Sequence, residues 1–422
     1  MFGKQVVLLM EDWYKQIKSS KIRSDILKQL YFRKSLLHTD LSLIYDRSIP
    51  VINKIINQLI KEGLVAEFGY AASSGGRRPQ QYAVKADAMY TVAVAMDQFS
   101  TRIVMMDMHN NPVTKIETLE LRLNDNPAAL NLLVTAINNC IGQSGIPKEK
   151  ILGMGIGMPG FVSVSEGVNY SYLDTGIQKL TDYIYTATSV PVYIANDSSL
   201  VALAEQKFGA AQSKHQAMVI NLGWGIGLGM IVNGEIFRGN DGFAGEFSHI
   251  PLFEDGALCL CGKQGCLEAE ASMLVVTKKA IEGIKQGKLT SLQSFVNEPL
   301  QVIANAIFEA IAIGDQYVVD LLSDAGYKIG KALAILIHIM NPKVIVLSGL
   351  GTRAGKIMLA PIQQALNKYC IPRLADKTEL LISTLGFDAG LLGATALVME
   401  NLNDDILNKH FKQQPMDKMP TK

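Results

Sequence analysis

The sequence predicts a two-part chain, a small helical module closed by a β-hairpin and, after it, a larger α/β domain. Three observations carry this reading. Short helical segments and a glycine-rich turn fill the stretch from Ser20 to Val84, apolar strands alternate with longer helices from Thr91 onward, and 422 residues suffice for about two or three domains.

In the first part, apolar residues recur at helical spacing from about Ser20 to Leu64, with polar breaks near Lys34 to Thr39 and Tyr45 to Ser48. The third helix begins at Ser48-Ile49-Pro50, where serine suits the N-cap and proline the first turn. Val51, Ile52, Ile55, Ile56, Leu59 and Ile60 give it a broad apolar stripe, and Gly63 ends it. After Leu64-Val65, a polar turn from Ala71 to Pro79 and the run Gln80 to Val84 read as a hairpin. This order of helices and hairpin is that of a winged helix-turn-helix, whose second motif helix enters the DNA major groove while the first braces it on the backbone. Ser48, Asn53, Lys54 and Asn57 are the outward-facing candidates for double-stranded DNA, and Arg77 and Arg78 on the wing suit phosphates or a narrow minor groove. Taken alone, the same residues also suit a plain helical bundle with a solvated arginine turn.

The second part offers strands at Thr91 to Met96, Arg102 to Met108, Ile151 to Met158, Val192 to Ala195, Ala217 to Leu222, Leu228 to Val232, Val344 to Leu347 and Leu380 to Ser383, with helices between them. The last twenty residues lose periodicity and read as a fraying polar tail.

Composition narrows the function. A formal net charge of +1 excludes a surface that coats nucleic acid or an acidic membrane as a whole, so any DNA contact is local. The apolar run Val6 to Met10 is followed at once by acids and lacks a cleavage site, and no uncharged stretch approaches the length of a membrane span. The expectation is a cytoplasmic protein with no membrane partner.

Three of the five cysteines, Cys259, Cys261 and Cys266, crowd into eight residues, while Cys140 and Cys370 stand alone. That is metal-site spacing rather than a disulfide framework. With His249 they offer one imidazole and three thiolates, enough for a closed tetrahedral Zn2+ site of structural type. Gly262 and Gly265 let the chain turn tightly around the ion.

The segment INLGWGIGLGMIVNGEIFRGNDGFAGEFSH, from Ile220 to His249, and CLCGKQGCLEAEAS, from Cys259 to Ser272, resemble the ROK family of repressors, open reading frames and sugar kinases. So do Gly155-Ile156-Gly157-Met158-Pro159-Gly160, Ala195-Asn196-Asp197 and the wing GGRRP of its repressor branch, and the resemblance runs from about Ile22 to Leu397. It implies an actin-like, hexokinase-like fold of two lobes, dimers or tetramers, and sugar contacts from Asn196, Asp197, Glu246, His249 and Glu268. His249 would then hold zinc through one nitrogen and sugar through the other. These residue types suit vicinal hydroxyls in their own right, although Asn196 and Asp197 also fit a helix cap. The organisation that follows is a winged helix-turn-helix over 1–88, a sugar-binding ROK domain over 89–402, and a polar tail over 403–422. Within the ROK domain, lobe 1 takes about 89–198 plus 385–402 and lobe 2 about 199–384.

A kinase of this fold wraps ATP phosphates in glycine turns and needs an aspartate base, a role that falls to Asp197. The family's first turn reads Asp-x-Gly-Gly-Thr, whereas this chain has Asp97-Gln98-Phe99-Ser100-Thr101, without either glycine. In the second, Trp224 stands where a threonine is usual, and the adenosine-side motif is thinned to Ser348-Gly349-Leu350-Gly351. Ser248 also replaces the glycine of the E-x-G-H motif. The expectation is a sugar-responsive regulator, a repressor of carbohydrate-utilisation genes that binds a small sugar or sugar phosphate and has lost its chemistry. An ATP-dependent sugar kinase with Asp197 as base is the alternative, and control by a sugar-transport protein is a third route.

Overall fold

The structure, a computed structural model, describes residues 22–70 and 78–412. The apolar run near the N-terminus and Arg77 lie outside the described residues.

Helices over residues 22–33, His38–Tyr45 and Ile49–Lys61 form the first module, closing on Ile26, Leu27, Leu30, Leu41, Ile52, Ile56 and Leu59. Gly63, at a φ of 74°, turns the chain out of the third helix into the strand Val65–Tyr70, which pairs antiparallel with Gln80–Val84. A two-residue strand, Leu36–Leu37, adds to Gln80–Val84 where the sequence read a break. It is too short to show a period of two. Ser48 occupies the N-cap position, but its side chain makes no cap bond. The apolar stripe is also narrower than the sequence suggested, because Val51 is 43% exposed and Ile60 only half-buried. Only residues at helical spacing around Ile52, Ile55, Ile56 and Leu59 face the bundle.

Two five-stranded sheets follow. The first has the order Val192–Asn196, Ile151–Met158, Tyr90–Met96, Ser100–Asp107, Glu117–Glu120, and the second Glu379–Ile382, Val344–Ser348, Gln216–Leu222, Ile226–Val232, Glu235–Phe237. In each, three strands run as an antiparallel meander and two more add in parallel to the meander's first strand. The same topology thus occurs twice, once per lobe. Each lobe's last strand leads into a helix, Asp197–Phe208 in the first and Ala389–Glu400 in the second, and the two helices pack against each other between the sheets. The approach is close, since a Cβ added to Gly393 would lie 2.1 Å from the carbonyl of Leu200. Leu200 and Leu203 pack with lobe 1, and Val201, Ala202 and Ala204 with lobe 2. Ala389–Glu400 returns to the first lobe, where Leu391, Ala394 and Leu397 join Ala93 and Val104.

The N-terminal helical module shares its core with lobe 1. Met89, Met108, Leu152, Val398, Met399 and Leu402 belong to the same buried cluster as Ile26 and Leu59. The region read as a polar tail begins as a helix, Asp404–Lys412, whose Leu407 is buried in that cluster and whose Asn408 accepts a hydrogen bond from Arg23. Among the described side chains of this short polar helix only the adjacent Ile406 and Leu407 reach the cluster, a pair too brief to show a helical period. Among the described residues no single helix is long and apolar enough to cross a membrane.

Candidate functional site

Between the lobes lies a cavity of about 630 Å³. Lobe 1 brings its strand Val192–Asn196 to this cavity and ends it at an N-cap: the Asn196 carboxamide oxygen accepts from the Ser198 and Ser199 amides, and its Nδ2 donates to the Gly160 carbonyl at 3.1 Å. The cap reading and the pocket reading of Asn196 therefore describe one side chain. Asp197 follows, accepting from Ser198 N at 2.7 Å and from Asn221 Nδ2 at 3.4 Å. Burial, reinforced by the Asp97 and Glu246 carboxylates, pushes its carboxyl up to about 7.

Lobe 2 supplies the opposite wall. Glu246 stands at the N-cap position of a short 3-10 turn that carries Ser248 and His249, without a side-chain cap bond, and burial raises its pKa, opposed by His249 and helped by Glu268. Glu268 accepts from Ile226 N at 3.3 Å and sits where a side chain on Gly225 would stand, since a Cβ there would come within 2.5 Å of its Oε2. Asn196, Asp197, Glu246, His249 and Glu268 all line the same cavity.

The cysteine loop abuts this wall. The ligand atoms of His249, Cys259, Cys261 and Cys266 all lie within 4.8 Å of one another, with Cys259 Sγ 3.6 Å from His249 Nδ1 and Cys261 Sγ 3.6 Å from Cys266 Sγ. Bonds of about 2.3 Å in a tetrahedral thiolate site set the sulfurs about 3.7 Å apart, so the donor set fits a tetrahedral metal ion. Gly265, at a φ of 76°, makes the loop possible, because a Cβ there would meet the Phe253 carbonyl at 1.8 Å. Nδ1 of His249 faces the thiols, while Nε2 lies 3.7 Å from Glu246 on the cavity side.

The other half of the cavity differs. The turn after Asp97 is held by its own carboxylate, which accepts from Phe99 N, Ser100 N and Ser100 Oγ at 2.7–2.8 Å. Phe99 projects to meet Trp224 edge-to-face, centroids 5.0 Å apart, and Trp224 is only 6% exposed. The two aromatic residues in the glycine-turn positions therefore touch across the cleft.

Sequence reasoning missed Asn221 and Tyr172. Asn221 bridges Asp197 to Ser198 Oγ, and an amide in an apolar strand was a usable signal. Tyr172 lines the cavity from a loop with no pattern of its own. In the first module Ser48, Lys54, Asn57 and Arg78 are exposed, as an outward role requires. Asn53 is not outward: it is half-buried and its Oδ1 is enclosed without a partner. It lies beside the buried face of a helix whose neighbours cover its flank.

A sequence model of the ROK family matches residues 114–401. A glucokinase from Halalkalibacterium halodurans is 36% identical over 279 residues, 64% of this chain and 84% of the relative. A xylose repressor from Bacillus spizizenii is 26% identical over 391 residues, 90% of this chain and 95% of the relative. The first stretch is short enough to fit within the α/β part; the second is too long to fit there and must include residues of the helical module. The solved structure described as a ROK family transcriptional regulator, a homologue of the E. coli MLC protein, has a TM-score of 0.75 at 24% identity, covering 95% of this chain and 100% of that one. The two share their fold.

Proposed function

The chain belongs to the ROK family, and from that premise we propose that it is a sugar-responsive transcriptional regulator, a repressor of carbohydrate-utilisation genes. Its winged helix-turn-helix binds operator DNA and its cleft takes a small sugar or sugar phosphate as inducer. The observation that carries this reading is the contrast within the cavity: carboxylates and amides on one side, the Phe99–Trp224 pair on the other. Hydroxyls find partners there, whereas a phosphate chain meets rings in place of backbone N–H groups. The repressor-length alignment supports the same reading.

The helix Asp197–Phe208 gives the sugar a route to the DNA module. Its first residues line the cavity, and its last, Phe208, packs on Tyr31 and Phe32 of the module's first helix at 6.1 and 5.9 Å. Beside it Lys207 pairs with Glu400 at 2.5 Å, and the Glu400 carbonyl accepts from Lys28 at 2.9 Å. A ligand that shifts this helix shifts the module, which is the differential affinity that allostery requires.

The cysteine cluster holds zinc in this reading. His249, Cys259, Cys261 and Cys266 fill its four positions, so it supplies a cross-link that fixes the wall carrying Glu246 and Glu268, and leaves no open position for water. The protein works as a dimer or tetramer in a bacterial cytoplasm, and a sugar-transport protein is a further candidate partner.

The test is fluorescence anisotropy of the purified protein on DNA from upstream of its own gene, against scrambled DNA and with a panel of sugars. Specific binding released by one sugar is expected; specific binding that no sugar alters, or none at all, defeats the reading. Phe208→Ala should keep both affinities and lose their coupling.

Asp197 favours a second reading, a sugar kinase. A carboxyl pushed up to about 7 in the cleft between the lobes suits a general base, and the glucokinase relative is 36% identical. ADP release with a hexose panel, abolished by Asp197→Asn, would establish it.

A further inference from the structure

The first turn of the third helix is apolar and uncovered. Ile49 is 45% exposed and Val51 43%, and Ser48 and Pro50 between and before them are exposed too. Residues at this end of a helix that enters the major groove reach base edges first. Behind the turn, Val51, Lys54 and Gln58 share one line by helical spacing, and Pro50, Lys54, Asn57 and Lys61 the next. Gln58 is already occupied, its amide donating to Glu62 at 3.0 Å. The face therefore offers cations and one free amide behind a leading edge of methyl groups.

Two exposed β-branched aliphatics in three residues make a small apolar leading edge, and the lysines around them repel another copy of the same face. Double-stranded DNA suits both features. Its phosphates match Lys54 and Lys61, and its major groove carries a single apolar group, the C5-methyl of thymine. Resting on the regulator reading above, we propose that Val51, assisted by Ile49, reads thymine methyl groups in the operator, so that each half-site holds thymine opposite the start of the recognition helix.

The test changes the DNA and leaves the protein untouched. The full chain is titrated against its operator and against the same operator with each thymine in turn replaced by uracil, which keeps every hydrogen-bonding group and removes only the methyl. A contacted position should lose about fourfold in affinity, the worth of one buried methyl group. Replacement in both half-sites should cost about tenfold or more. Val51→Ala should bind the thymine operator more weakly and no longer distinguish uracil at that position, while its sugar binding and melting temperature stay those of the parent. Equal affinity for thymine and uracil operators would overturn the proposal and leave the regulator reading standing. Absence of any specific DNA binding would overturn both. If Val51→Ala instead changes the oligomeric state and not the uracil response, the turn is a protein contact and the proposal is wrong.

Discussion

The two halves of the cleft each draw on both lobes and carry opposite chemistry. On one side Asn196, Asp197, Glu246, His249 and Glu268 present acceptors and donors, several of them held by bonds to the backbone. On the other, the turns after Asp97 and Leu222 bring Phe99 and Trp224 into contact. Under the regulator reading proposed above, a few side chains on an unchanged pair of sheets would separate a site that binds from a site that reacts.

The sharpest way to break the contrast is to remove the wall behind the polar half. Cys261→Ala should cost the metal and, with it, all measurable sugar binding, read by metal analysis and calorimetry. Fluorescence from Trp224 should stay that of a buried indole, because Phe99 from the other lobe still packs on its ring. Next in size is Asn196→Ala, which deletes two cap bonds and a pocket amide. Sugar affinity should fall beyond detection, while unfolding free energy drops by about 1 kcal/mol, the usual worth of an N-cap. Converting the aromatic half is the reciprocal experiment. Phe99→Gly with Trp224→Thr should leave sugar affinity within a few-fold and give weak but measurable binding of ADP by calorimetry; unaltered exclusion of ADP would mean that something other than these rings blocks the site.

A further prediction is a pH dependence of stability. Asp197 is held protonated up to about pH 7 in the folded chain but ionises near 4 when unfolded. The folded state therefore binds the extra proton across that interval, and stability falls as pH rises from about 4 to 7. Asp197→Asn should flatten this slope, in thermal melts over that range, and raise the melting temperature at pH 8 relative to the parent.

Much of the lobe architecture was legible because buried strands such as Ile151–Met158 are runs of apolar and glycine residues bounded by turns. Glu117–Glu120 and Glu235–Phe237 were not, since edge strands carry charges and expose alternate residues. The loss of both glycines at Phe99 was visible in the chain, yet its meeting with Trp224 was not, because only the closed fold brings the lobes' turns together. In the same way Val51 belongs to the apolar pattern by type and to the surface by position. Periodicity tells which face a helix hides, and it tells nothing of a first turn that no neighbour covers.

The repeated lobe topology makes the crossing helices Asp197–Phe208 and Ala389–Glu400 counterparts of each other, pinned where Gly393 meets Leu200. They are the two blades of a pair of scissors. Their near ends flank the cleft, and their far ends, Phe208 and Glu400, both finish against the first helix of the N-terminal helical module. Both lobes thus meet the N-terminal module at the same helix.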